Sequence, residues 1–204
     1  MTEKIHSSLL TLPDELVYRI LDHLSDFTIL CSVRNVCRRL NTITDTYHRY
    51  QLLTTLDLSN YQLQDHHIQC LVKTLPNNTT LTTINISGNT NQDGLIVKLI
   101  NALKNNKTLT TLDISCNSIK DQEAQDLAIF LENNKVLTTL KLDQNEIDDL
   151  AVKYIADALT KNTTLTTLNL YKNRIGDVGA QHIADALRVN TGRPKGFRGR
   201  GTRI

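Results

Sequence analysis

The sequence predicts an α/β solenoid, with parallel strands inside and helices outside, preceded by a small helical module. A short phrase recurs five times at a spacing of 28 residues, beginning at Leu53, Leu81, Leu109, Leu137 and Leu165. Within each copy, a strand-period pattern is followed by a helix-period pattern. A fixed period of this length is typical of stacked repeat arrays, which present extended binding surfaces. Residues 12–43, before the first copy, have helix-period patterning alone.

The distribution of charge argues against a repeat array that binds polyanions. Residues 51–190 carry twelve basic and fifteen acidic side chains, whereas residues 191–204 carry five basic and no acidic ones. We therefore expect no nucleic-acid partner for the folded part. Residues 193–204 are expected to form a basic, disordered tail that is dispensable for folding.

The chain shows no secretory leader, no apolar run long enough to cross a bilayer and no CxxC spacing among its four cysteines. These observations favour a cytoplasmic and/or nuclear protein with reduced thiols and no membrane partner. Asp65, His66 and His67 are adjacent in sequence, but neighbouring helix residues diverge, so we expect no metal site. Cys116 is expected to be an inert thiol, because nothing basic in its own repeat would lower its pKa.

The third copy, residues 109–136, illustrates the predicted repeat. Leu112 and Ile114 alternate with polar residues, which predicts a short strand with one buried face. Asp121 precedes a helical pattern and is predicted to cap that helix, as are Asp65, Asp93, Asp149 and Asp177 in the other copies. Asn134 is expected to end the helix in the left-handed conformation. The apolar helix face is formed by Ala124, Leu127, Ala128 and Leu131.

These positions resemble leucine-rich repeats, whose pattern is L-x-x-L-x-L-x-x-N-x-L. The third copy meets it with Leu109, Leu112, Ile114, Asn117 and Ile119, and the fourth and fifth copies meet it in full as well. Tyr61 replaces the asparagine in the first copy, and Asn91 replaces the last apolar residue in the second. The resemblance implies five repeats of the ribonuclease-inhibitor class over residues 53–192. It also implies a hydrogen-bonded ladder formed by Asn89, Asn117, Asn145 and Asn173.

The N-terminal module has more apolar side chains than a unit of its size can bury. Leu16, Ile20 and Leu24 are spaced four residues apart, and Pro13 and Asp14 suit the start of a helix. A second helix-period run extends from Ile29 to Ile43, so three short helices are predicted. An exposed apolar patch on so small a unit indicates a partner site.

Residues 8–50 are similar to an F-box, whose pattern is L-P-x-E-[LV]-x-x-x-I-[LF]-x-x-L followed by V-C-[RK]-x-[WFL]. Leu40 stands where tryptophan is commonest in that family. The resemblance implies that this three-helix module binds a Skp-type adaptor and, through it, a cullin ligase. The implied adaptor-binding residues are Leu12, Pro13, Glu15, Leu16, Ile20, Leu21, Leu24, Val36, Cys37 and Leu40. The alternative is a helical cap for the solenoid.

Client specificity is expected on the concave face of the repeats, where equivalent positions differ between copies. Tyrosine and arginine are typical interface anchors, and the last copy contains Tyr171 and Arg174. The predicted client-binding residues are Asp113, Lys141, Asp143, Glu146, Asn169, Tyr171, Lys172 and Arg174. The alternative is a merely solvated polar face.

Together these features predict the substrate-recognition subunit of a Skp/cullin/F-box ubiquitin ligase. Such a subunit is not an enzyme, needs no cofactor and acts by proximity, holding an unidentified client near the ubiquitin carrier. We expect it to be monomeric outside its complex. The alternatives are a leucine-rich-repeat scaffold or inhibitor without a ligase role, and a Ran-type GTPase regulator, against which the basic tail argues.

Overall fold

The computed structural model describes residues 12–29, 42–43, 46, 53–90 and 94–190. The chain divides into two compact units, Met1–Leu56 and Asp57–Ile204. The predicted tail and the second half of the F-box pattern, with Val36, Cys37 and Leu40, lie outside the described residues. In the part that is described, no helix combines the length and the apolar character needed to span a membrane.

The first unit contains helix α1, Asp14–Asp22, and the short helix α2, Asp26–Thr28. Pro13 occupies the N-cap position rather than the first helical position, and the helix begins at Asp14. Two acidic residues, Asp14 and Glu15, lie in the first turn of α1. Their negative charges interact favourably with the positive end of the helix dipole. Val17 and Leu21 are buried, as are Phe27 and Ile29 further along the chain.

The repeats form one five-stranded sheet whose strands are adjacent in chain order. Each strand is three residues long: β1 Thr55–Asp57, β2 Thr83–Asn85, β3 Thr111–Asp113, β4 Thr139–Lys141 and β5 Thr167–Asn169. From β2 to β5 the pairing is parallel, and each residue lies opposite the residue 28 positions later, as Leu112 does with Leu140. The predicted register is therefore confirmed.

A helix follows each strand. The helices are α3 Asp65–Thr74, α4 Leu95–Leu103, α5 Asp121–Asn133, α6 Asp149–Lys161 and α7 Asp177–Val189, with a 3₁₀ turn at Leu75–Asn77 after α3. The apolar strand residues and the apolar helix faces are buried: Leu112, Ile114, Leu127 and Leu131 are all inaccessible to solvent. The strands and helices, packed through these buried faces, form the α/β solenoid that the 28-residue period predicts.

The predicted asparagine ladder lies at the ends of the strands. Asn145 Nδ2 donates to the carbonyl oxygens of Ile114 at 3.2 Å and Leu142 at 3.0 Å. Its Oδ1 accepts from the backbone amides of Asn117 at 2.9 Å and Ile119 at 3.1 Å. Each asparagine therefore satisfies backbone groups of its own repeat and of the preceding one, which a buried turn requires.

A second asparagine ladder connects the turns that follow the helices. The sequence predicted only that these asparagines end the helices. Asn134 and Asn162 are in extended conformations, with φ −77° and −81°, so the prediction of left-handed residues is wrong here. Asn162 is fully buried, and its Nδ2 donates to the carbonyl oxygens of Leu131 at 2.6 Å and Asn134 at 3.2 Å. Its Oδ1 accepts from the amides of Thr164 and Leu165.

We expect Asn162→Ala to lower the free energy of unfolding by roughly 2–4 kcal/mol, because several buried backbone groups would lose their partners. Asn190→Ala is the matched control. The Asn190 side chain is partly exposed and donates to the carbonyl oxygens of Leu159 and Asn162. In urea denaturation, Asn190→Ala should lower the free energy of unfolding by less than half as much as Asn162→Ala. Equal losses of unfolding free energy in the two variants would show that the burial of a ladder asparagine does not determine how much it stabilises the protein.

The predicted helix caps are displaced by one residue. Asp121, Asp149 and Asp177 are the first residues of their helices rather than the N-caps, and Asp93 lies outside the described residues. Asp148 is the N-cap of α6, accepting from the amides of Leu150 at 2.9 Å and Ala151 at 3.0 Å.

Asp149 instead serves the next helix. Its Oδ1 accepts from the amides of Gly176 at 2.7 Å and Gly179 at 3.0 Å, at the start of α7. A Cβ atom at Gly179 would lie 2.5 Å from that oxygen, so this contact requires glycine. A carboxylate in one repeat therefore caps the helix of the following repeat.

Candidate protein-binding surfaces

The first candidate surface is an apolar stripe on α1, formed by Leu16 and Ile20 and flanked by Leu12 and Leu24. We call it the α1 stripe. The side chains of Leu16 and Ile20 are 42% and 38% exposed, and those of Leu12 and Leu24 are partly exposed. Pro13 and Glu15, also predicted to bind an adaptor, are exposed beside the stripe. The sequence-based expectation of uncovered apolar residues on this helix is met at Leu16 and Ile20.

Leu21 does not belong to this surface. It is 1% exposed and shares its helix face with the fully buried Val17, four residues earlier. Successive helix residues are rotated by about 100°, so Leu21 turns inward where Ile20 does not. The prediction that Leu21 contacts an adaptor is therefore corrected: its side chain belongs to the core. The other predicted contacts, Val36, Cys37 and Leu40, lie outside the described residues.

The second candidate surface, here called the repeat face, comprises the eight predicted client-binding residues. They lie on the strands and on the turns that follow them. Asp113, Lys141 and Asn169 are directly opposite one another in β3, β4 and β5. The others follow on the turns after β4 and β5: Asp143, Glu146, Tyr171, Lys172 and Arg174. The parallel register thus brings residues 28 positions apart together as one surface.

Most charges on the repeat face are paired with one another. Lys141 Nζ lies 3.1 Å from Asp113 Oδ2. Arg174 Nη2 lies 3.0 Å from Glu146 Oε2, which is also 3.8 Å from Lys120 Nζ. In each ion pair at least one of the two side chains is exposed to solvent. Exposed ion pairs contribute roughly 0–1 kcal/mol each to stability. A partner can therefore rearrange them at little energetic cost.

Asp143 is held by neutral donors instead. Its Oδ1 accepts from Ser115 Oγ and from Asn169 Nδ2, both at 2.8 Å. Ser115 is itself buried, so it orients the carboxylate rather than facing a partner. Among the described residues Asp143 has no ion-pair partner, and it is a preformed acceptor for a cationic group.

Tyr171 and Lys172 form the least engaged part of the repeat face. The Tyr171 side chain is 47% exposed, and Lys172 Nζ lies 5.5 Å from the centre of its ring. Lys172 forms no ion pair within the part of the chain that the structure describes. A large aromatic ring next to an uncompensated cation is a suitable anchor for a protein partner.

Cys116 lies close to this surface. Burial raises the pKa of its thiol, the negative charges of Asp143 and Asp113 raise it further, and Lys172 opposes them. The thiol is therefore protonated at neutral pH, which agrees with the expected inert cysteine. Cys116 also has a positive φ of 54°, as do the equivalent residues Asn60, Gln144 and Lys172, whereas the sequence pattern gave no sign of this left-handed turn.

Cys116 is a free cysteine, and the expectation of reduced thiols stays a prediction for the other cysteines. His67 Nδ1 accepts from the Gln64 amide at 3.0 Å, and its pKa is lowered by burial and by His66. Within the described ranges no three His, Cys, Asp or Glu side chains converge as metal ligands.

Two family models match the chain. The model of the F-box-like domain matches residues 9–53. The leucine-rich-repeat model matches residues 77–90, 105–128, 133–156 and 161–184. Domains of both kinds are typically non-catalytic binding modules. The α1 stripe lies within the first match, and all eight residues of the repeat face lie within the second.

Several solved structures are similar to the chain. Leiomodin-1 Actin-Binding Site 2 aligns with a TM-score of 0.55 and 26% identity, over 62% of this chain and 73% of that one. The tropomodulin C-terminal domain from Caenorhabditis elegans aligns with a TM-score of 0.43 and 18% identity, over 62% and 93%. An internalin (inlF) from Listeria monocytogenes aligns with a TM-score of 0.33 and 21% identity, over 71% and 47%. No curated protein matches the chain significantly.

Proposed function

We propose that this protein, whose chain joins an F-box-like domain to leucine-rich repeats, is the substrate-recognition subunit of a Skp/cullin/F-box ubiquitin ligase. In this role the α1 stripe binds a Skp-type adaptor, and the repeat face binds a client protein. The protein performs no chemistry itself. It raises the local concentration of the client beside the charged ubiquitin carrier, and it acts in the cytoplasm or nucleus.

The observation that carries this proposal is the exposure of Leu16 and Ile20 within residues 9–53. Apolar side chains of this size gain roughly 1.5–3 kcal/mol each when a partner buries them. The neighbouring face of the helix, with Val17 and Leu21, already supplies its contacts with the core, so Leu16 and Ile20 are not needed there. Adaptor binding gives these side chains a burial site.

Co-expression with a Skp-type adaptor and a cullin tests the proposal. The three proteins should elute together in size-exclusion chromatography, and a variant with Leu16 and Ile20 both replaced by Ala should elute alone while retaining its circular dichroism spectrum. If the folded wild-type protein also elutes alone, the ligase role is rejected. A leucine-rich-repeat scaffold or inhibitor without a ligase role then becomes the best interpretation.

Actin is a specific candidate client, because the solved structure with a TM-score of 0.55 is named as an actin-binding site. The test is surface plasmon resonance of monomeric actin on the immobilised protein. Binding that falls when Tyr171 is replaced by Ala would place actin on the repeat face. Absence of binding to the adaptor-competent protein would eliminate this client and leave the ligase role untouched.

Client binding on the repeat face should depend on Tyr171 and Arg174 more than on Ser87 or Ser115. The Tyr171 and Arg174 side chains are exposed and long, whereas Ser115 is buried and Ser87 is short. We expect Tyr171→Ala and Arg174→Ala to weaken client binding by roughly tenfold or more, as interface anchors do. Ser87→Ala serves as the control within threefold of the wild type, and Ser115→Ala, which removes one donor to Asp143, should weaken binding less than either anchor change. An alanine scan whose losses all fall on the helices would contradict this assignment.

A further inference from the structure

A groove lies between the helices of the second and third repeats, on the helical side of the array. It is formed by α4 and α5 and has a volume of about 290 Å³. Ile100 and Phe130, each 5% exposed, form its floor, and Ile129, 58% exposed, forms part of its rim. Lys104 and Asp126 are its charged residues at the two ends of this apolar surface. We call this surface the α4–α5 groove.

The next pair of helices packs more closely than α4 and α5 do. The positions of Ile100 and Phe130 are occupied there by the buried residues Ala128 and Ala158. Small side chains let two helices approach each other, and α5 packs more closely against α6 than against α4. Helix α4 also ends earlier in its repeat than α5 does. The groove is therefore a local departure from the regular array.

An ion pair also connects the next two helices. Glu132 of α5 and Lys161 of α6 lie 3.0 Å apart across that junction. The corresponding residues at the α4–α5 groove are Lys104 and Asn133, and a lysine and an asparagine cannot form an ion pair. The end of the α4–α5 groove therefore has a lysine without a counter-charge from the facing helix.

The two charges of the α4–α5 groove have opposite signs, and neither forms an ion pair within the described residues. Asp126 corresponds to Lys98 of α4, which precedes Lys104 by six residues, so the two charges are about 9 Å apart along the helix axes. The other charged side chains nearby are already paired. Lys98 lies 3.8 Å from Asp65 of α3, and Glu132 is paired with α6.

Helix stability alone does not explain this arrangement. A lysine at the end of a helix interacts favourably with the helix dipole, which gives Lys104 a local role. Asp126, however, lies within α5 and is half-buried without a cationic partner in the described part of the chain. Partial burial of an unpaired carboxylate costs free energy, which a cation from another molecule would offset. The groove is therefore complementary to an apolar group with a charge at each end.

We propose that the α4–α5 groove binds one helix of a protein partner, with a carboxylate, two apolar side chains and a cation in that order along one face. The carboxylate pairs with Lys104, and the cation pairs with Asp126. The two apolar side chains cover Ile100, Ile129 and Phe130. Insertion of an amphipathic helix into an apolar groove is a common mode of peptide recognition.

The spacing of the charges fits a helical partner. Residues i, i+3, i+4 and i+7 of a helix share one face, and the first and last of them are about 10 Å apart along the axis. This span is close to the separation of Lys104 and Asp126. The groove shares no residue with the α1 stripe or the repeat face, so this inference does not depend on the ligase role.

The probe is a fluorescently labelled peptide that contains the segment EAALLAAK and is held helical by a covalent staple on its opposite face. The staple removes most of the entropic cost of ordering a short helix. Fluorescence anisotropy with the full-length protein should show saturable binding, with a dissociation constant on the order of 10 µM.

Three stapled control peptides each lack one feature of the probe. EAAQQAAK lacks the apolar pair and should bind about tenfold more weakly or worse. KAALLAAK and EAALLAAE each place a like charge at one end of the α4–α5 groove. Each of these two should bind about fivefold more weakly or worse than EAALLAAK.

Two charge-reversal variants of the protein locate the site by a gain of binding. Lys104→Glu makes both ends of the groove acidic, so this variant should bind KAALLAAK more tightly than EAALLAAK. Asp126→Lys makes both ends basic, so it should prefer EAALLAAE. Tighter binding of the charge-matched peptide cannot result from unfolding, so these variants separate recognition from stability.

A further pair of variants tests the apolar contact. Ile129→Gln should weaken the binding of EAALLAAK about fivefold or more, because it removes an apolar side chain from the rim. Leu150→Gln is the matched control. Leu150 is 48% exposed on α6 and does not line the groove, so its replacement should leave peptide binding unchanged.

Four results would overturn the proposal. They are the absence of saturable peptide binding, equal binding of EAAQQAAK, a Lys104→Glu variant that does not prefer KAALLAAK, and a wild-type dimer that becomes a monomer in Ile129→Gln by light scattering. The last result would assign the α4–α5 groove to a second copy of the chain. Adaptor binding is measured on the same sample. Protein that binds the adaptor but not the peptide rejects this inference alone, and protein that binds only the peptide rejects the ligase role alone.

Discussion

The Leu140→Ala variant should be less stable than the wild type by about 2–5 kcal/mol in chemical denaturation, as is typical for large-to-small changes in a core. Leu140 is inaccessible to solvent in β4 and lies between Leu112 of β3 and Leu168 of β5. Removing its side chain would leave a cavity with neighbouring repeats on both sides, which the array cannot readily close.

Leu168→Ala is the matched control for this change. Leu168 has the same position in β5, but its side chain is partly exposed, because no described strand lies beyond β5. Leu168→Ala should lower the stability clearly less than Leu140→Ala does. A loss below about half a kcal/mol at Leu140 would place that residue at the surface and contradict the register.

Replacing Leu16 and Ile20 together by Ala should weaken adaptor binding at least roughly a hundredfold. Each side chain contributes roughly 1.5–3 kcal/mol on burial, and a loss of about 3 kcal/mol corresponds to that factor. Both side chains are already exposed in the unbound protein, so the fold should be retained. The measurement is isothermal titration of the adaptor, with circular dichroism of each variant.

The control for this variant is Ile129→Ala combined with Leu150→Ala. These side chains are also apolar and exposed, but they lie on the helices of the repeats. The control should bind the adaptor as the wild type does. If both double variants lose affinity equally, adaptor binding is not located on the α1 stripe.

The repeat architecture could be predicted because each copy encodes its own strand, turn and helix. Once Leu112 and Leu140 were recognised as equivalent, the parallel register followed, since stacking is the arrangement that buries both apolar faces of a repeat. The asparagine ladder of Asn117 and Asn145 came from the resemblance to leucine-rich repeats. Their hydrogen bonds match that expectation closely.

The contacts between repeats could not be predicted in detail. Asp149 was expected to cap its own helix, but its carboxylate reaches the amides of Gly176 and Gly179 in the following repeat. Asn162 was expected only to end a helix, but it connects its own turn with the turn after the preceding helix. In both cases backbone groups of the same repeat and of a neighbouring repeat are within reach of the polar side chain, and the sequence does not show which of them it contacts.

The candidate sites were predicted in part. A helical stripe correctly placed Leu16 and Ile20 at the surface, but Leu21, adjacent in sequence, turned out to be buried. On the repeat face, the alignment of copies brought Asp113 beside Lys141, yet it did not reveal that they neutralise each other. Which client the surface binds depends on the partner's shape, which is not encoded in this chain's repeat pattern.

The ligase role is tested most directly by titrating a purified Skp-type adaptor into the purified wild-type protein. We expect a one-to-one complex with a dissociation constant on the order of 1 µM or below, and a negative heat-capacity change on burial of the α1 stripe. Absence of binding by protein whose circular dichroism and cooperative unfolding show it to be folded would contradict the account. The N-terminal module would then be a cap for the solenoid, and the protein a binder without a ligase role.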